Sequence, residues 1–438
     1  GCGSSDADSK TRVSQEANAA PPDTAATIAT AAARPTRDRP INFNRDIRPI
    51  LTDKCFACHG PDAETVEAGL RLDSFEGATA ELDFGGHAVV PGDVEASELW
   101  ARVNDKRLPM PPEELHKPLD GRELDLLRRW IESGAAYQPH WAYVPPVAVA
   151  APAVSASDWP ASDIDRFVLH QMEEEGLAPM PDADKATLLR RVTYDLTGLP
   201  PTLEELDAFL ADDSAGAFEA VVDRLLASDH FGERLAVFWL DLVRYADTVG
   251  YHGDQTHNVS PYRDWVIWAF NNNMPFDTFT IHQLAGDLIE DADENSLIAS
   301  CYNRLLQTSH EGGVQFKEYV AIYGADRVRN VSETWMGATV GCAQCHDHKY
   351  DPYSAQDFYA MSAFFADIDD VDHIRNPFQG GFNALPTRRD PERDVLSPLD
   401  RERMAVLEAQ IEAAADAAQK QSLQAQLDAI KPRRVMIS

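Results

Sequence analysis

Asn42-Phe43-Asn44-Arg45-Asp46-Ile47-Arg48-Pro49-Ile50-Leu51-Thr52-Asp53-Lys54-Cys55-Phe56-Ala57-Cys58-His59 is the stretch from which the first domain is read. Phe43, Ile47, Ile50 and Leu51 recur at helical spacing, so one apolar face leads toward Cys55. The run then closes on Cys-x-x-Cys-His, the haem c attachment pattern. Two thiols one helical turn apart can add across the two vinyl groups of a haem. The adjacent His59 then lies under the iron and donates a ring nitrogen. A zinc site would need four ligands at matching spacing, and no second pair lies close along the chain. A thioredoxin-like pair would sit in a strand-to-helix turn, whereas this one follows a helix.

Farther along, Leu108-Pro109-Met110-Pro111-Pro112 offers a second axial ligand. Prolines on both sides hold the Met110 thioether with little entropy left to lose. The alternative is Met110 as core filler. Asp120 caps a final helix with Glu123 three residues on. Leu124, Leu127, Trp130 and Ile131 give that helix its apolar face, and Gly134 stops it. Helix, Cys-x-x-Cys-His, loop, Met and helix is the layout of a small His/Met cytochrome, with haem as the missing apolar mass. His/Met ligation raises the reduction potential and leaves no open coordination position.

Cys342-Ala343-Gln344-Cys345-His346 repeats the motif, so a second haem with His346 as proximal ligand is expected. Its sixth ligand is less evident. His348 is too near in sequence to reach across the ring. His310 is the first choice, with His252, His257 and Met361 behind it. The alternatives here are a zinc site or a reduced structural cysteine pair.

Of six cysteines, four form the two motifs, Cys301 is left over, and Cys2 stands in Gly1-Cys2-Gly3-Ser4-Ser5. This arithmetic argues against a disulfide framework. A Gly-Cys junction before a polar tether resembles the end of a bacterial lipoprotein signal, so Cys2 is a candidate lipidation site, against a chance Cys in a tail. The chain's formal charge is −33, from 72 acidic and 39 basic side chains. Such acidity opposes nucleic-acid and anionic-lipid binding and suits a cationic redox partner protein. No run of about 18 apolar residues occurs, so membrane contact is expected only through a lipid anchor at Cys2.

The organisation expected is mainly α. Residues 1–40 read as a lipoprotein-like start and tether, and 41–140 as a small cytochrome c-like helical domain. Residues 141–160 read as a Pro/Ala linker and 161–370 as a larger all-α domain holding the second motif. Residues 371–395 read as an irregular loop. A coiled-coil-like helical segment follows over 396–431, where the 3-4 spacing slips near Gln419-Lys420-Gln421 and marks a helical pair rather than one rod. Residues 432–438 read as the start of a strand belonging to a further domain.

The residues also carry a family resemblance. Asn44 to Leu51, Cys55-Phe56-Ala57-Cys58-His59-Gly60-Pro61-Asp62, Arg71-Leu72-Asp73 and Met110-Pro111-Pro112 resemble the planctomycete-type cytochrome c domain. A second set resembles the helical domain of unknown function found after it in large planctomycete surface proteins. It comprises Leu196-Thr197-Gly198-Leu199-Pro200-Pro201, Tyr262-Arg263-Asp264-Trp265-Val266, Gln283-Leu284-Ala285-Gly286-Asp287, Glu311-Gly312-Gly313 and Gly341 to Lys349. Together they cover residues 41 to 370. The resemblance implies haem c at Cys55, Cys58 and His59 with Met110 opposite, and a periplasmic or cell-surface location. Its members commonly carry a further C-terminal domain.

Three functions fit these residues. The first is an exported, dihaem electron-transfer cytochrome. The second is a surface oxidoreductase whose active site lies in the helical domain, where Asp241, Arg244, Tyr245, Asp247, His252, Asp254, His257, Glu311 and Asp347 cluster around the motifs. Salt bridges and hydrogen bonds around a buried haem would explain the same residues. The third is a non-redox surface assembly protein. Electron transfer is favoured over catalysis.

Overall fold

The computed structural model describes residues 40–156, 158–251, 254–309, 314–368 and 389–438. Cys2, His252, His310 and Glu311 therefore lie outside the described residues. The protein is mainly α, with one two-stranded sheet among the described residues. Pro146–Met180 separates as a compact unit of its own, while Ile41–Pro145 packs with Pro181–Ser438.

The first domain opens on a π-helical turn, Phe43–Ile47, that runs into α1 (Arg48–Lys54) and the single turn α2 (Phe56–His59). Asn42 starts it, its side chain accepting from the Arg45 N–H at 2.9 Å, which satisfies a donor that the helix start leaves over. Two short helices follow, α3 (Phe75–Thr79) and α4 (Glu98–Asn104), and then α5 (Gly121–Glu132). Asp120 and Glu123 form the expected capping box on α5, and Gly134 ends its run at φ +101°. Phe43, Ile47 and Leu51 from the first segment meet Leu127, Trp130 and Ile131 from α5 in one buried cluster. Phe56 joins them and pins α2, and Cys55 packs against the same cluster.

In the smaller unit α6 (Asp163–Glu174) has a Ser162–Asp165 capping box. The larger helical region runs through α7 (Lys185–Thr197), α8 (Leu203–Ala211), α9 (Ala217–Leu226), α10 (Asp229–Leu242) and α11 (Ser260–Asn271). It continues with α12 (Phe276–Ala285), α13 (Glu294–Ser300), α14 (Phe316–Val331) and α15 (Ala355–Ala363). Its main core gathers Trp239, Tyr262, Trp265 and Phe279. Buried Gln283 accepts from Trp239 Nε1 at 3.0 Å and from the Tyr262 hydroxyl at 2.6 Å, so the polar tips of two aromatic rings are satisfied inside an apolar cluster.

The C-terminal region differs from the sequence expectation in its strands. Residues 392–395, expected to be irregular, form β1 (Glu392–Val395), antiparallel to β2 (Arg433–Met436) with Glu392 opposite Met436. Val435, Met436 and Ile437 are buried in the main helical core. Arg304 donates to the Ile437 carbonyl at 2.9 Å and to the Arg389 carbonyl at 3.0 Å. β2, read from the sequence as the start of a further domain, is instead buried in the core of the helical domain. Between the strands lie α16 (Pro398–Ala413) and α17 (Ala417–Ala429), a pair broken over Ala414 to Asp416, while Gln419-Lys420-Gln421, where the sequence suggested the break, lie inside α17. Trp268 of α11 donates to Glu402 of α16 at 2.8 Å, docking the pair on the helical domain.

Candidate functional site

Cys55 sits at the joint between α1 and α2, and the turn of α2 carries Cys58 and His59 one step beyond. The His59 N–H donates to the Cys55 carbonyl at 2.9 Å, which closes the turn. The chain after it folds back: the N–H of Glu67 donates to the Cys58 carbonyl at 2.9 Å and that of Leu72 to the His59 carbonyl at 2.8 Å. This return brings the Leu70 carbonyl oxygen to 3.3 Å from His59 Nδ1. With the proton held there, Nε2 keeps its lone pair for a metal, the arrangement that orients ligating histidines. Burial lowers the His59 pKa and outweighs the Leu70 hydrogen bond, which acts the other way. Burial thus favours the neutral imidazole that a ligand must be.

His59, both thiols and Met110 line one cavity of about 510 Å³. Leu70, Leu72, Leu82, Leu99 and Val103 supply apolar wall. That volume falls within the roughly 300–1,000 Å³ of cofactor pockets. Met110 is fixed where α4 ends, its N–H donating to the Arg102 carbonyl at 3.2 Å, and Pro111 and Pro112 continue the same wall. Burial pushes the Cys55 thiol up to about 12. An apolar hollow, two thiols, a neutral imidazole and a thioether form a donor set and a shape that fit covalent haem.

Residues 55–114 match the family model described as Planctomycete cytochrome C, PSCyt1. The chain carries a planctomycete cytochrome c domain. Residues 163–370 match a second model, PSCyt2, described as a protein of unknown function (DUF1549). No curated protein and no solved structure matches the chain. The cytochrome c domain suggests a cytochrome c-like haem protein, and its Cys55-x-x-Cys58-His59 motif opens the matched stretch.

The second motif is placed differently from that of the cytochrome c domain. Cys342, Cys345 and His346 follow or belong to a 3-10 turn, Val340–Gln344, and all three are exposed. His346 Nδ1 lies 2.7 Å from the Asp347 carbonyl oxygen, so here too Nε2 is the nitrogen left over. His348 has both ring nitrogens occupied. Nδ1 accepts from the N–H groups of Tyr350 and Asp351 at 3.2 and 2.9 Å, and Nε2 lies 3.0 Å from the Thr339 hydroxyl. Among the described alternatives for a sixth ligand, His257 directs Nε2 to the Ala246 carbonyl at 2.8 Å, and Met361 packs on two apolar clusters.

The polar residues of the helical domain are largely engaged with one another. Arg244 grips Asp326 with two hydrogen bonds of 2.7 and 2.8 Å. The Tyr245 hydroxyl donates to Asp247 at 2.7 Å, and Asp347 accepts from the Ala355 N–H at 2.8 Å. Arg244, His257 and Asp326 share the wall of a cavity of about 290 Å³. Asp326, on α14, had no sequence signal of its own. Asp62 is also new: it follows the first motif, is buried, and approaches His346 of the second.

Proposed function

We propose that the chain is an exported, dihaem c-type cytochrome that transfers electrons rather than transforming a substrate. The observation that carries this is His59 and Met110 on the walls of one apolar cavity bordered by both thiols of the motif. Haem c supplies one-electron redox chemistry when bound. Cys55 and Cys58 would hold it by thioether bonds, and His59 and Met110 would ligate its iron. The Leu70 carbonyl fixes the imidazole, the prolines fix the thioether, and the apolar wall excludes water. Two protein ligands leave no open position for substrate, which favours transfer over catalysis.

A second haem would attach at Cys342 and Cys345, with His346 as proximal ligand through Nε2. The mutual pairing of Arg244, Asp326, Tyr245 and Asp247 supports a structural role for the helical domain's polar groups. The charge of −33 favours a cationic redox partner. Acylation of Cys2 would tether the chain at the periplasmic or cell surface.

Expression with a haem c maturation system tests this. A pyridine haemochrome assay is expected to give two haems per chain, and zero would refute the cytochrome reading. The weak long-wavelength band of thioether-ligated ferric haem is expected in the oxidised protein and should vanish in Met110→Ala. Its persistence would remove Met110 as the ligand.

A further inference from the structure

The loop that leaves the first Cys-x-x-Cys-His lies against the loop that leaves the second. Gly60, the residue after His59, has no room for a side chain: an added Cβ would stand 2.8 Å from the Lys349 carbonyl oxygen and 2.4 Å from that of Phe56. Two residues on, the Asp62 side chain is 2% exposed, and its Oδ2 lies 3.8 Å from Nδ1 of His346. Its other oxygen accepts from the Glu64 N–H at 3.2 Å. The same junction pairs His140 with Asp351 at 3.3 Å and joins the hydroxyls of Tyr143 and Tyr353.

A carboxylate taken out of water is costly unless charge or hydrogen bonds compensate it. Asp62 has a single backbone N–H from its own loop, and its Oδ2 stands beside the histidine of the other motif. At 3.8 Å this is a charge beside the ring and not a hydrogen bond, since Nδ1 already has the Asp347 carbonyl at 2.7 Å. A negative charge held there makes Nε2 a stronger donor and favours the more positive, oxidised state of whatever it ligates.

We propose that Asp62, a residue of the first domain, is a positioning residue for His346 and lowers the reduction potential of the second centre. The docked cytochrome c domain would thereby set the potential of its neighbour. This rests on the reading that both motifs carry haem c.

The test is a spectroscopic redox titration of the full haem-loaded chain, with haem counted in the same samples. Cys342→Ala identifies the wave that belongs to the second haem. Asp62→Asn is expected to shift that wave to higher potential and leave the other in place. Asp62→Ser, which keeps an acceptor for the Glu64 N–H but no charge, provides a second neutral side chain and should shift it in the same direction. Two haems with both waves unmoved in the neutral variants would overturn the role of Asp62 alone. A haem count unchanged by Cys342→Ala would instead remove the second haem, and the proposal with it.

Discussion

His59 Nδ1 lies 3.3 Å from the backbone carbonyl oxygen of Leu70. The bond spans the loop that wraps back over α2, so the fold of that loop decides which ring nitrogen faces the cavity. It also leaves the imidazole short of water, and burial lowers its pKa.

A pH dependence follows from that lowered value. Burial likewise lowers the pKa of His257 and His348. Below the ordinary value of 6.5 the unfolded chain takes up protons on these rings that the folded chain does not. Their contribution to stability is complete above that pH and is lost as pH falls through the lowered folded values. Urea unfolding of the chain expressed without haem should show a lower midpoint at about pH 5.5 than at about pH 7.5. His257→Gln should flatten the difference, and an unchanged slope would exclude His257 from it.

The cysteines should separate by reactivity. Burial pushes Cys55 and Cys301 each to about 12, whereas Cys342 and Cys345 are exposed. Thiolate and access together govern alkylation. In the chain without haem, iodoacetamide should label Cys342 and Cys345 first by peptide mass spectrometry, with Cys301 last or unlabelled in the native state.

Gly60→Ala should be costly without any left-handed backbone to blame. Its Cβ would meet two carbonyl oxygens, at 2.4 and 2.8 Å, and backbone cannot rotate aside as a side chain can. An overpacking cost of about 1–3 kcal/mol is expected in chemical denaturation. Loss of stability below about 0.5 kcal/mol would show that the two loops separate freely.

Gln283→Leu removes the acceptor shared by Trp239 and Tyr262 inside the main helical core. Each buried donor left without a partner costs roughly 1–3 kcal/mol. The Trp239–Tyr262 contact at 3.2 Å survives and limits the loss. Denaturation should show the substitution as destabilising despite its greater hydrophobicity.

Much of the fold was legible because its signals are local. Helical periodicity, the Asp120–Glu123 box and the stop at Gly134 depend on neighbours a few residues apart. Cys55, Cys58, His59 and Met110 were legible for the same reason: fixed motif spacing and flanking prolines announce them. Residues 392–395 were not, since Glu392-Arg393-Asp394-Val395 shows no strand alternation and pairs only because β2 reaches it.

The sequence by itself determined the helical class, the two Cys-x-x-Cys-His motifs and the Met110 loop. Only the tertiary structure decided that Leu70 presents a carbonyl to His59, that Asp326 holds Arg244, and that Asp62 stands beside His346. The physical reason is that motif chemistry is written in adjacent side chains. A backbone oxygen carries no side-chain signature, and a carboxylate's partner across many residues is fixed by how the helices pack.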